Sequence, residues 1–127
     1  MSTQLTPQSF DLPRIDGWAT PDSRRLEFVV TQDGAPKDIS NDHISWWLLN
    51  RPYQPRAEAV VDGEGTEGVS IRTESVVDPI AGEFRVDIAA GTLDGEWGEY
   101  TQVVRVDPPG ESQLTWRGPV VLEHTGE

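Results

Sequence analysis

The chain has 127 residues, 35% of them hydrophobic, with five tryptophans and no cysteine; this fits one domain with its own core and excludes disulfides and zinc–thiolate sites. Twenty-two acidic residues against ten basic ones give a net charge of −12, which disfavours binding to the phosphates of nucleic acids. No stretch is apolar enough to span a bilayer, and the N-terminus has neither the basic start nor the apolar core of a secretory signal.

The first 21 residues lack a regular pattern, because prolines at positions 7, 13 and 21 and a glycine at position 17 interrupt it. We therefore predict an extended N-terminal arm over residues 1–21, or an early edge strand around residues 10–12. A sandwich domain is expected over residues 22–123, followed by a short tail over residues 124–127.

Short runs of alternating or β-branched residues then lie between clusters of glycine, proline and aspartate, and no helical period persists. This pattern predicts an all-β, antiparallel, immunoglobulin-like β-sandwich of about seven strands. A tight turn is expected at Asp33-Gly34, and Pro119 indicates an edge or a bulge in the last strand. The predicted strands are 24–31, 43–50, 56–61, 69–73, 83–89, 99–106 and 113–123.

The strand HISWWLLN at 43–50 is almost continuously apolar, so we expect burial on both faces or cover by another chain. Because neighbours along a strand point to opposite faces, one of its two adjacent tryptophans should enter the core and the other face outward. The outward ring either contacts a partner or is covered by the arm; stacking on a sugar is a further use of such a ring. The tentative interface residues are Phe10, Trp18, Trp46, Trp47 and Tyr53.

Tyr100 follows Gly98 near the start of the penultimate predicted strand. Immunoglobulin-like folds place a tyrosine there whose hydroxyl bonds back to upstream backbone. The sequence therefore predicts a structural corner at Tyr100, with an ordinary exposed strand tyrosine as the alternative.

The chain offers few groups for catalysis. His43 and His124 are the only histidines, and although Ser45 shares a strand face with His43, no nucleophile elbow, oxyanion hole or phosphate-binding loop is recognisable. We expect no enzyme activity, no cofactor and no small-molecule substrate. The acidic, glycine-rich loop at 62–68 lacks the spacing of an EF-hand, so a solvated turn is expected there rather than a calcium site.

Several segments together resemble a known family: LEFVV at 26–30, DGAPKDI at 33–39, ISWWL at 44–48, DPIAGEFRV at 78–86, the corner at 93–100 and GPVVL at 118–122. The stretch 26–122 is similar to the N-terminal immunoglobulin-like domain of phage baseplate upper proteins and related tail or head accessory proteins.

The resemblance implies a virion structural or accessory protein of a tailed virus, in the tail, baseplate, neck or capsid, which docks without catalysis. Its expected partners are other virion proteins and copies of itself, with no nucleic acid and no membrane. The alternative is a carbohydrate-binding or adhesion module. Nine of the ten basic residues are arginine, and with the acidic excess this is typical of salt-loving organisms or of an acidic protein from a GC-rich genome. If the composition reflects a salt-loving organism, then the resemblance to phage proteins predicts that the chain comes from a virus that infects a halophile.

Overall fold

The computed structural model describes residues 3–19, 23–50, 55–60, 69–72, 81–93 and 98–123. Within these ranges the chain forms ten β-strands, and no helix is long and apolar enough to cross a membrane. The strands are β1 (Thr3–Leu5), β2 (Ile15–Ala19), β3 (Arg24–Gln32), β4 (Ala35–Pro36), β5 (His43–Leu49), β6 (Pro55–Val60), β7 (Val69–Arg72), β8 (Glu83–Ile88), β9 (Gly98–Asp107) and β10 (Leu114–Glu123).

Two five-stranded sheets form the molecule. One has the order β1-β3-β8-β7 with β4 paired to β3, and the other has the order β2-β10-β9-β5-β6. The order β3-β8-β7 facing β10-β9-β5-β6 is that of an immunoglobulin sandwich with an added strand at the edge. This confirms the predicted all-β sandwich, and each of the seven predicted strands is present within one or two residues of its expected bounds.

One part of the prediction is corrected by the structure. The sheets are mixed rather than antiparallel throughout, and the described part of the expected arm runs along both of them. Strand β1 pairs in parallel with β3, and β2 pairs in parallel with β10. The prolines at 7 and 13 lie between these short strands, so they separate the strands without preventing their pairing. The boundaries expected at residues 21/22 and 123/124 stay predictions.

The turn and bulge expected from local sequence are present. Asp33 and Gly34 have φ of 54° and 79° between β3 and β4, which is the pair of positive values that a tight two-residue hairpin turn requires. Strand β10 lies between β2 and β9, so it is not an edge. Its register against β2 shifts between Val120 and Leu122, directly after Pro119.

The core lies between the two sheets. Its centre on the second sheet is a row of three side chains in register, Trp46, Val104 and Trp116, all with no exposed surface. Across from it, Phe28 and Phe84 stack with ring centroids 5.0 Å apart. Each large aromatic side chain buried in this way stabilises the fold by about 3 kcal/mol or more relative to alanine.

Candidate docking surface

The N-terminal segment closes one side of the sandwich. The indole Nε1 of Trp116 donates a hydrogen bond of 2.9 Å to the backbone oxygen of Thr6. Phe10 lies over the same indole, with ring centroids 5.6 Å apart, and keeps 41% of its surface exposed. Leu12 is buried and lies against Gly118, where any side chain would collide with it. Phe10 is therefore the outermost aromatic ring of this segment, and it already packs on the core.

Two of the tentative interface residues belong to the core. Trp46 is fully buried, and its Nε1 donates to Oε1 of Gln102 at 3.2 Å. Trp18 is 1% exposed, with the guanidinium of Arg24 5.4 Å from its ring centroid. Because both rings are covered by this chain's own residues, neither offers surface to a partner here. The Trp18 ring is buried because β2 pairs with β10 instead of extending away from the domain.

Trp47 lies on the opposite side of β5 from Trp46, as the alternation along the strand predicts. It is half-buried and belongs to the side of the second sheet that faces away from the core. The guanidinium of Arg105 lies 5.2 Å from its ring centroid, a distance at which a cation is attracted to the face of an indole ring. Part of the ring is thus covered by an arginine and not by the N-terminal segment.

Residues directly opposite one another in antiparallel strands point to the same face, so the outward surface of β5, β9 and β10 consists of rows of side chains. We call this surface the Trp47 face. Given from β5 through β9 to β10, its three central rows are Ser45, Arg105 and Thr115; Trp47, Val103 and Arg117; and Leu49, Thr101 and Pro119, with His43 and Asp107 in the row at one end and Glu99 and Val121 in the row at the other.

The middle of the Trp47 face is apolar and partly enclosed. Val103 is only 6% exposed although it points away from the core. A cleft of about 290 Å³ beside it is lined by Leu49, Thr101, Val103 and Arg117. Val103 is therefore covered by neighbouring side chains of this chain, and the open cleft beside it leaves a partly apolar depression on the Trp47 face.

Two arginines flank that apolar centre. Arg105 is half-buried and its Nε is fully buried, with no hydrogen-bond partner among the residues that the structure describes. Arg117 is exposed and pairs in register with Val103. Sequence reasoning missed both arginines as well as Val103. Strand β9 carries valine at both 103 and 104, which hides the two-residue period that assigns side chains to a face.

Several predicted features fall outside the described residues, namely Tyr53, the acidic loop at 62–68 and the tail at 124–127 with His124. The expected corner is described in part. Tyr100 is buried near the start of β9, so the alternative of an exposed strand tyrosine is excluded. Residues 94–97, which precede that strand, are not described, so the bond that would fix the corner stays a prediction.

The groups considered for catalysis are not gathered. On β5, His43 is exposed whereas Ser45 is 4% exposed. Within the described ranges no three histidine or acidic side chains are grouped so as to hold a metal ion. Among the carboxyl groups that the structure describes, one has a shifted pKa: that of Asp38 is lowered by hydrogen bonds from the hydroxyl and the backbone N–H of Ser40. Asp38 lies in the connection before β5, where these bonds fix a turn.

Comparison with known proteins finds a solved structure of similar fold but no similar sequence family. No protein-family model matches the chain, and no curated protein matches it. A solved structure that is similar is the N-terminal domain of phage TP901-1 ORF48, with a TM-score of 0.58, 13% sequence identity and coverage of 95% of each chain. The predicted resemblance to the N-terminal domain of a phage protein is thereby confirmed for the fold, over 95% of both chains.

Proposed function

We propose that this chain is a structural or accessory protein of a tailed-phage virion and that it acts by docking onto other virion proteins without catalysing a reaction. The observation that carries the proposal is the match over 95% of both chains to the N-terminal domain of a phage protein. At 13% identity this likeness concerns the fold, so the role is inferred from the fold together with the surface that this chain presents.

The Trp47 face supports docking rather than chemistry. It combines an apolar centre with an aromatic ring and two arginines, and these residue types are enriched where proteins bind each other. The cleft beside Val103 is shallow, with a volume of about 290 Å³, which is at the lower limit of the pockets that enclose small ligands. A face of this shape suits a side chain or a segment of another protein.

The experiment is to purify particles from the source of this sequence and to search them for peptides of the chain by mass spectrometry. The proposal expects the chain in intact particles, at a fixed ratio to a major virion protein, after washing in high salt. The matched control is an abundant host protein of similar size and charge, which washing should remove. Absence of the chain from washed particles would refute the proposal.

A finer placement in the tail, baseplate, neck or capsid belongs to the same proposal, as does assembly with copies of itself. Gentle disassembly of the particles followed by native mass spectrometry tests both. The expected result is a subcomplex that contains several copies of the chain and one other virion protein. A chain released only as a monomer would contradict self-assembly while leaving the virion role intact.

The proposal also includes origin in a virus of a halophile. The net charge of −12 favours a folded state that salt stabilises, because screening relieves repulsion between carboxylates. We expect the free energy of unfolding to rise between 0.1 M and 3 M KCl. A stability that is flat or falling over this range would support the alternative of an acidic protein from a GC-rich genome.

The carbohydrate-binding alternative has less support. Sugar platforms use exposed aromatic rings, but Trp18, Trp46 and Trp116 are buried in the core. Trp47 is half-covered and lies against Arg105. A glycan array probed with the purified chain distinguishes the two roles, since a sugar-binding module would respond to particular glycans without any virion protein.

A further inference from the structure

We propose that copies of this chain assemble by exchanging their N-terminal segments, residues 3–19. In the exchanged form, β1 and β2 of one copy pair with β3 and β10 of a second copy, in the same registers as within one chain. The interaction surface is the slot that the segment fills on residues 24–123, which we call the body. This inference rests on the self-assembly included in the proposed function and names the contact through which it occurs.

The long-range contacts of the N-terminal segment are made with the body. Strand β1 pairs with β3, β2 pairs with β10, and Phe10 and Leu12 form backbone hydrogen bonds with Arg117. The hydrogen bonds described within the segment join residues two or three positions apart, such as Arg14 and Asp16. The segment therefore has no core of its own, and the identical body of a second copy can supply the partners of both strands.

The body provides a slot that fits the segment closely. Leu5, Leu12 and Trp18 are at most 5% exposed and belong to the same core as the buried side chains of the body. Opposite Leu12, Gly118 has no side chain, and an added Cβ would lie 2.5 Å from that of Leu12. A body without its own segment exposes this apolar slot. Because an exchanged segment makes the same contacts, exchange creates an interface between copies without loss of packing.

The distribution of charge favours the segment as the part that reaches a neighbour. Its two aspartates and one arginine give residues 3–19 a net charge of −1, so the rest of the chain carries −11 of the total of −12. Two bodies repel each other at low salt, whereas a nearly neutral segment approaches a second body with little repulsion. Salt screens the repulsion that remains, so we expect exchange to increase with salt concentration.

The connection between the segment and the body is short. Strand β2 ends at Ala19 in the second sheet and β3 begins at Arg24 in the first, so residues 20–23 carry the chain from one sheet to the other. Five Cα–Cα steps span at most about 17 Å, and packed sheets lie about 10 Å apart. Little length remains for the chain to turn back onto its own body. Short connections of this kind favour exchange, because the connection can extend between two copies.

A permanently closed chain is the alternative. In it each segment stays on its own body, and copies meet only through other surfaces such as the Trp47 face. The segment makes the same contacts in both arrangements, so the experiment has to identify which chain supplies the segment.

The test uses two versions of the full chain, which contains no native cysteine. One version carries Asp11→Cys, and the other carries Arg117→Cys and a tag that increases its mass. These two positions are exposed partners in register where the segment crosses β10. The versions are unfolded, mixed, refolded at millimolar concentration in high salt, diluted to micromolar concentration and treated at once with a short thiol–thiol crosslinker. We expect crosslinks between the two versions, because an exchanged segment brings position 11 of one chain to position 117 of the other.

The control mixture carries Glu27→Cys on one version and Arg85→Cys on the other. These positions are in register between β3 and β8, which both belong to the body, so exchange of the segment does not bring them together across chains. We expect roughly tenfold or more crosslinked heterodimer from the test mixture, since adjacent thiols have a far higher effective concentration than colliding chains. A yield no higher than that of the control mixture would overturn the inference.

A locked chain tests whether assembly needs the segment to be released. A chain with both Asp11→Cys and Arg117→Cys, crosslinked within itself at high dilution, keeps its segment on its own body. We expect it to remain monomeric in analytical ultracentrifugation at concentrations where the same chain assembles before crosslinking. Assembly of the locked chain to the same size would show that copies associate through another surface, and the inference would fail. These outcomes concern the purified chain, whereas absence from particles refutes the virion role, so the two failures are distinguishable.

Discussion

Replacing Gly118 by alanine tests directly whether the N-terminal segment is part of the sandwich. Gly118 lies in β10, where Leu12 crosses it. An added Cβ would be 2.5 Å from the Cβ of Leu12 and 2.7 Å from its backbone oxygen. Ordinary contact begins at 3.4 Å, so one of the two backbones must move by about 0.9 Å, the difference between 3.4 and 2.5.

The cost follows from what that movement breaks. Two backbone hydrogen bonds join the segment to β10: Leu12 N to Arg117 O at 2.7 Å, and Arg117 N to Phe10 O at 3.0 Å. A shift of this size lengthens both beyond the range of a hydrogen bond, at about 1 kcal/mol each. Residual overpacking adds about 1 kcal/mol or more. We expect a total loss of about 3 kcal/mol, which for a domain of this size lowers Tm by roughly 10 °C.

The assay is urea unfolding followed by tryptophan fluorescence, with hydrogen exchange of the Leu12 amide as a local readout. The control is Thr115→Ala, at a partly buried position on the outward side of the same strand, which should cost less than about 1 kcal/mol. If Gly118→Ala stays within about 0.5 kcal/mol of wild type while the Leu12 amide stays protected, residues 10–12 do not lie against β10 as described.

Three further predictions use other parts of the molecule. Deletion of residues 1–21 should prevent folding, because it removes the buried side chains of Leu5, Leu12 and Trp18. Each contributes about 2–5 kcal/mol, against a total free energy of unfolding of about 5–15 kcal/mol. Circular dichroism measures the outcome, and a folded truncated domain would contradict this prediction. Trp46→Ala should cost about 3–5 kcal/mol in chemical unfolding, whereas Trp47→Ala should cost clearly less because its ring is only half-buried; equal losses would refute their assignment to opposite faces. Ser40→Ala should raise the pKa of Asp38 towards its ordinary value in an NMR titration. Any stability from these hydrogen bonds is present above the unfolded pKa and is lost as pH falls through the lowered folded pKa, and an unchanged pKa in the variant would contradict their role.

Much of the fold was predictable, because the alternation of apolar and polar residues within a strand shows which of its side chains are buried. In β8 the apolar residues Phe84, Val86 and Ile88 alternate with polar ones, and the structure buries these three. The buried face of such a strand can be predicted without knowing which strands pair with it. The turn at Asp33-Gly34 is local in the same way, since those two residues tolerate the positive φ that it requires.

The N-terminal strands were not predictable in this way. Strands β1 and β2 have only three and five residues, with Gly17 inside β2, so neither carries a usable period. Strand β1 pairs with β3, 25 residues further along the chain (Thr3 with Phe28), and β2 pairs with β10, 105 residues further along (Ile15 with Val120). Long-range parallel pairing of this kind has no local sequence signature.

The Trp47 face was also only partly predictable, because it depends on the pairing of strands that are distant in sequence. Alternation required Trp46 and Trp47 to face opposite ways, but only the packing of the two sheets, which buries Trp46 completely, shows which one meets the core. The register of β5 with β9 brings Arg105 to the indole of Trp47, across 58 residues of sequence. Two valines in succession, at 103 and 104, removed the clue that would have assigned Arg105 to the outward side.

The most direct test of docking through the Trp47 face is hydroxyl-radical footprinting of the chain, free in solution and within purified particles. Trp47 keeps a minor part of its surface exposed in the free chain, whereas Trp46 and Trp116 are fully buried and serve as internal references. We expect Trp47 to be oxidised in the free chain and strongly protected in particles, with both reference residues protected throughout. Equal oxidation of Trp47 in the two states would show that this face stays open in the assembled virion and would contradict its role as the docking surface.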